Sequence, residues 1–109
     1  MQAIFVTAEE SERDQALVAA ALRSAEIKEG DRIALIAGST PEYLALTIGA
    51  LRAGVVPVMV HPGLTPEEQA VLLENASPSL IFRGAEVEGF VSNAREHGSY
   101  RELAKWPRT

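Results

Sequence analysis

GDRIALIAGSTPEYLALTIGALRAGVVPVMVHP, from Gly30 to Pro62, is the stretch whose reading decides the fold. It opens with a continuous apolar run, Ile33 to Ala37, and turns at Gly38-Ser39-Thr40-Pro41. A segment of helical periodicity follows, then Gly54, then a second apolar run from Val55 to Val60. Two short runs that are apolar throughout, joined by a helix, describe a parallel βαβ unit. Only strands covered on both faces can be apolar at every position. Both strands are therefore expected inside a sandwich of helices.

The turn carries its own signals. Thr40 is placed to cap the helix, with Pro41 at the first helical position, where no N–H is needed. Glu42 sets negative charge at the positive end of the helix dipole. Leu44, Ile48 and Leu51 are expected to mark the buried face, with Ala45 and Gly49 allowing close approach to a sheet. Gly54 suits the left-handed position just past the helix. Pro57 cannot donate to a ladder, so the second strand lies at an edge or the nitrogen of this residue faces an unpaired direction.

Outward from this unit the same alternation continues. Ala3 to Val6 reads as a short strand. Thr7 with Glu10 has capping-box spacing for a helix reaching about Ala25. Val18, Ala21, Leu22 and Ala25 form its buried stripe, and Glu12, Arg13, Asp14 and Arg23 are expected in solvent. Lys28 to Arg32 is a polar turn. After the loop His61 to Leu64, a third helix starts at Thr65-Pro66-Glu67-Glu68, which combines cap, proline and capping-box glutamate. Val71, Leu72 and Ala76 are expected on its inner face, and it should stop before Pro78. Leu80 to Phe82 is a third buried strand. Val87 to Arg95 is readable as a helix with Phe90, Val91 and Ala94 inward, ended by Gly98. Tyr100 to Leu103 is strand or helix, and residues 106–109 a tail. The fold class is α/β: a mostly parallel sheet built from repeated βαβ units, with helices on both faces. Right-handed crossovers are expected.

Composition limits function. The chain has 109 residues, 47% hydrophobic, which fits one α/β domain or part of a larger one, with its core at 30–82. Fifteen acids against ten bases give a net charge of −5 without a basic stripe, which disfavours nucleic acid. No cysteine is present, which removes disulfides, thiolate metal sites and a cysteine nucleophile. Two histidines, His61 and His97, are too few for an obvious metal cluster. No run approaches the about 20 apolar residues of a membrane span. Met1 to Thr7 lacks the features of a signal peptide, so a cytoplasmic location is expected.

The chemical candidates are thin. Gly38-Ser39-Thr40 lies between a strand and a helix N-terminus, where backbone N–H groups can hold an anion. It lacks GxGxxG or GxxxxGK[ST] spacing, and a cap and turn explain it with less. His61 follows a strand's carboxyl end, where α/β proteins gather ligands, but has no partner acid nearby in sequence. Glu67 and Glu68 could act as paired acids, although a helix start rich in acids accounts for them. Ser39 has no GxSxG elbow. Tyr43 and Trp106 read as packing residues, and Arg52 as solvating the outer face of its helix. No catalytic, cofactor or metal residue is assigned.

Three stretches in order resemble the adenylate-forming enzymes, the superfamily of acyl-CoA synthetases, luciferases and peptide-synthetase adenylation domains. Gly30-Asp31-Arg32-Ile33-Ala34-Leu35 with Ser39-Thr40-Pro41-Glu42-Tyr43 resembles their GDRVAL…NSPEF pattern. Leu51 to Val58 is similar to LKAGxxxVPL, and His61 to Glu68 to NPxLTPEEL. Val6-Thr7 and the helix after it loosely resemble LTYxEL. The resemblance covers about Val6 to Phe82 and is closest to fatty-acid or aryl acyl-CoA synthetases. It implies an enzyme that activates a carboxylic acid with Mg-ATP to an acyl-adenylate and passes it to CoA. It also implies that the phosphate-holding loop TSGTTGxPKG, the acyl pocket and a catalytic lysine belong to segments not represented in these residues. The isolated chain is therefore expected to bind no cofactor and to be inactive, with the remainder of the enzyme, or a second copy, as its partner. His61 stands where the family usually has Asn or Asp. Gly63 stands where some CoA-ligating members have a basic residue, so that position supports no CoA grip. Three alternatives stay open: a stand-alone or split-enzyme module that docks on a partner or self-associates, a small anion- or nucleotide-binding α/β domain, and a piece cut from a longer chain.

Overall fold

A computed structural model describes residues 8–97. In chain order these form α1 (Ala8–Ser24), β1 (Arg32–Ile36), α2 (Pro41–Arg52), β2 (Val56–Val60), α3 (Pro66–Ala76), β3 (Leu80–Arg83) and α4 (Glu86–His97). The strand expected at Ala3 to Val6, the Thr7 cap, the Gly98 stop, the segment Tyr100 to Leu103 and Trp106 lie outside the described residues.

The three strands form one parallel sheet in the order β2-β1-β3. The expected α/β class is therefore correct, and among the described strands β2 lies at an edge, one of the two arrangements Pro57 allows. The Val56 N–H donates to the Asp31 carbonyl at 2.8 Å, toward β1. Alternation then turns the Pro57 nitrogen toward the open edge, where a missing donor costs nothing.

The two faces of the sheet are covered differently. Ile33, Leu35, Leu80 and Phe82 point into one core with Val18 and Leu22 of α1, Leu46 and Ala50 of α2, and Val87, Phe90 and Val91 of α4. Phe82 and Phe90 meet edge to face, with ring centroids 5.0 Å apart. Ala34, Ile36 and Val60 are buried outside this cluster, on the opposite face, where α3 lies over β1 and β2. The α2 crossover runs outward from β1 to β2, and the α3 crossover returns past β1 to β3. Opposite directions on opposite faces give both crossovers the same hand.

Local signals work as the sequence suggests. The Thr40 hydroxyl accepts from the Tyr43 N–H at 3.0 Å, and Pro41 occupies the first turn of α2. Thr65 and Glu68 form a reciprocal capping box on α3, at 3.1 and 2.9 Å. Gly54 takes φ +76°, a left-handed conformation that lets the chain leave α2 and enter β2. α3 stops at Ala76, ahead of Pro78.

Four expectations about burial are overturned. On α2, Leu44 and Leu51 are 53% and 59% exposed and Ile48 is half-buried, while Ala45, Leu46, Gly49 and Ala50 face inward. The reason is the neighbour: this face meets α1, not the sheet alone. A Cβ on Gly49 would lie 2.6 Å from Val18 Cγ1 and 2.9 Å from the Gln15 carbonyl, so the approach is too close for larger side chains. On α3, Val71 and Leu72 are exposed, and the half-buried stripe is Gln69, Leu73 and Ala76. Edge strand β2 exposes Val56 and Met59, so it is not sandwiched throughout. Asp14, expected in solvent, is buried.

Candidate functional site

Parallel strands bring their carboxyl ends to one edge of the sheet, the edge at which open α/β sheets hold ligands. α2 leaves β1 onto one face and α3 leaves β2 onto the other. The loops at Gly38 to Thr40 and His61 to Leu64 part there, which makes this the topological switch point of the described sheet.

Ser39, Thr40, His61, Glu67 and Glu68 lie on the loops and helix starts at this edge, and three of them have polar atoms engaged by nearby backbone. The Thr40 hydroxyl caps α2, while Gly38 and Ser39 are exposed. His61 is exposed, and its Nδ1 accepts from the Gly63 N–H at 2.9 Å. That bond places the neutral ring's proton on Nε2 and orients it outward. Gln69 reaches back to the Leu64 carbonyl at 3.2 Å, so the loop between β2 and α3 is tied at both ends. Glu67 is exposed, and the Glu68 carboxylate accepts from the Thr65 N–H. Hydrogen bonds from the Thr65 backbone and side chain lower the Glu68 pKa, in keeping with its place in the capping box.

These residues do not fit Mg-ATP. A phosphate clamp needs cations and free donors converging on one point. Here the Thr40, His61 and Glu68 groups serve their own backbone. Among the described residues no group of three His, Cys, Asp or Glu could hold a metal.

Three charged side chains meet elsewhere, where α1, α2 and α4 converge. Arg95 donates from Nε to Asp14 Oδ1 at 2.9 Å and from Nη2 to Asp14 Oδ2 at 2.6 Å. Its Nη2 also reaches Glu42 Oε2 at 3.3 Å. The hydrogen bonds to Asp14, more than the nearby charges, push the Arg95 pKa above its ordinary value, so the guanidinium stays charged throughout. Glu10, Arg13 and Leu17 line the cleft beside it. The geometry is that of a fastener between helices, with Glu42 serving both the α2 dipole and this cluster. The sequence held one overlooked signal: Asp14 precedes Val18 by four residues and so lies on the buried stripe of α1.

Arg52 is exposed, as expected, and it also makes contacts between helices. It pairs with Glu12 at 3.0 Å and donates to Gln15 Oε1 at 3.3 Å, bridging α2 to α1. Tyr43 does pack against the core, and burial pushes its phenol pKa up.

Comparison with known proteins gives these contacts a context. The model of the family described as AMP-binding enzyme matches residues 3–106. The chain is 35% identical over 60 residues to a 4-hydroxybenzoate–CoA/benzoate–CoA ligase of Rhodopseudomonas palustris, covering 55% of the chain and 11% of that protein. It is 31% identical over 77 residues to a crotonobetaine/carnitine–CoA ligase of Salmonella paratyphi B, covering 71% of the chain and 13% of that protein. A crystal structure of a benzoate CoA ligase from Burkholderia xenovorans superposes with a TM-score of 0.70 at 29% identity, over 84% of the chain and 19% of that structure. The matched residues thus span little more than a tenth of the two curated relatives.

Proposed function

The chain belongs to the AMP-binding enzyme family, and from that premise we propose that it is the N-terminal structural segment of an acyl-CoA synthetase. The whole enzyme activates a carboxylic acid with Mg-ATP to an acyl-adenylate and transfers the acyl group to CoA, in the cytoplasm. ATP, magnesium and CoA are then ligands of the complete enzyme, and this segment alone holds none of them.

One observation carries the reading: the family match extends over 3–106, yet the strand ends within 8–97 spend their polar groups on helix caps and loop ties. Such a segment contributes a rigid sheet edge and leaves the chemistry to other parts of the polypeptide. The exposed apolar residues support the same role. Leu44 and Leu51 share one face of α2, while Val56 and Met59 lie on edge strand β2 and Val71 and Leu72 on α3. These are the positions at which the remaining polypeptide packs. A second copy covering the same residues is the competing arrangement, favoured by the same exposure.

A domain exchange tests the proposal. The matched residues of the R. palustris ligase are replaced by this chain, and the acid preference of the hybrid is measured. An architectural segment leaves the preference of the parent unchanged. A shift toward a different acid would show that this segment selects the substrate.

A further inference from the structure

We draw no further inference here: the strongest candidate, the polar cleft between α1, α2 and α4 around Asp14, Glu42 and Arg95, carries nothing because these three groups satisfy one another and no second observation there points to a ligand.

Discussion

Arg95 holds Asp14 through two parallel hydrogen bonds that join positions 81 residues apart in the chain. α1 and α4 stand at opposite ends of the described sequence, so this pair closes the helical layer over one face of the sheet. Asp14 is 8% exposed in its side chain and Arg95 39%. The pair therefore lies between a surface bridge, worth about 0–1 kcal/mol, and a fully buried one, whose breakage costs about 3–5 kcal/mol. Arg95→Ala strands a buried carboxylate and should lower stability by about 1–3 kcal/mol in urea denaturation. Arg95→Lys should recover only part of this, because an ammonium cannot make the paired contact. The double variant Asp14→Ala/Arg95→Ala should lose less than the sum of the single changes. Full additivity would mean that the pair is not coupled.

Gly49 gives a prediction whose sign opposes helix propensity. Glycine inside a helix ordinarily costs about 1 kcal/mol relative to alanine. Here a methyl group would meet Val18 Cγ1 at 2.6 Å and the Gln15 backbone oxygen at 2.9 Å. The oxygen cannot move without moving α1, so Gly49→Ala should destabilise by about 1–3 kcal/mol despite its better propensity. Thermal unfolding followed by circular dichroism reads the sign directly. A raised Tm would mean that α1 and α2 sit further apart.

The Thr65–Glu68 capping box predicts a pH dependence. The pKa of Glu68 is lowered in the folded chain by its bonds from Thr65. A depressed carboxylate adds stability that is present above the unfolded pKa and fades as pH falls through the folded one. The carboxyl carbon of Glu68, followed by NMR, should titrate below the ordinary value of 4.5. Thr65→Ala keeps the backbone N–H that contributes most and should bring the midpoint only part of the way back toward that value. A midpoint at or above the ordinary value in the parent chain would remove the box as a cause.

Much of this fold was legible from local chemistry. Thr40-Pro41, Thr65-Pro66-Glu67-Glu68, Gly54 and Pro57 each answer a need of the backbone itself, and each sits where its signal placed it. Inner faces were harder, because hydrophobicity ranks side chains by size while helix contact selects by fit. On α2, Leu44 and Leu51 yield the stripe facing α1 to Ala45 and Gly49, where α1 leaves little room, while Leu46 keeps its place in the core. Asp14 was misplaced for a related reason. Its position on the stripe marks it as inward, but only Arg95, distant in sequence, supplies the partner that makes burial of a charge tolerable. Of the strand-end candidates, Thr40 and Glu68 sit in helix caps, as their spacing suggests, whereas the three members of the helix fastener come from three elements and share no local signal.

The exposed leucines of α2 should matter little to the isolated chain. Leu44→Glu with Leu51→Glu changes side chains that are more than half exposed, so stability should stay within about 0.5 kcal/mol. Association should change instead. Light scattering across a concentration series should show self-association of the parent chain reduced in the double variant. Equal association in both would place the docking surface elsewhere.

The central claim is that residues 8–97 build a scaffold and that adenylation chemistry resides in other parts of the polypeptide. Carboxylate-dependent exchange of labelled pyrophosphate into ATP tests it most directly, using the purified chain with magnesium and a panel of aryl and fatty acids. Our reading expects exchange no greater than in the blank without acid. Exchange that depends on the added acid, and persists after repeated purification, would overturn it.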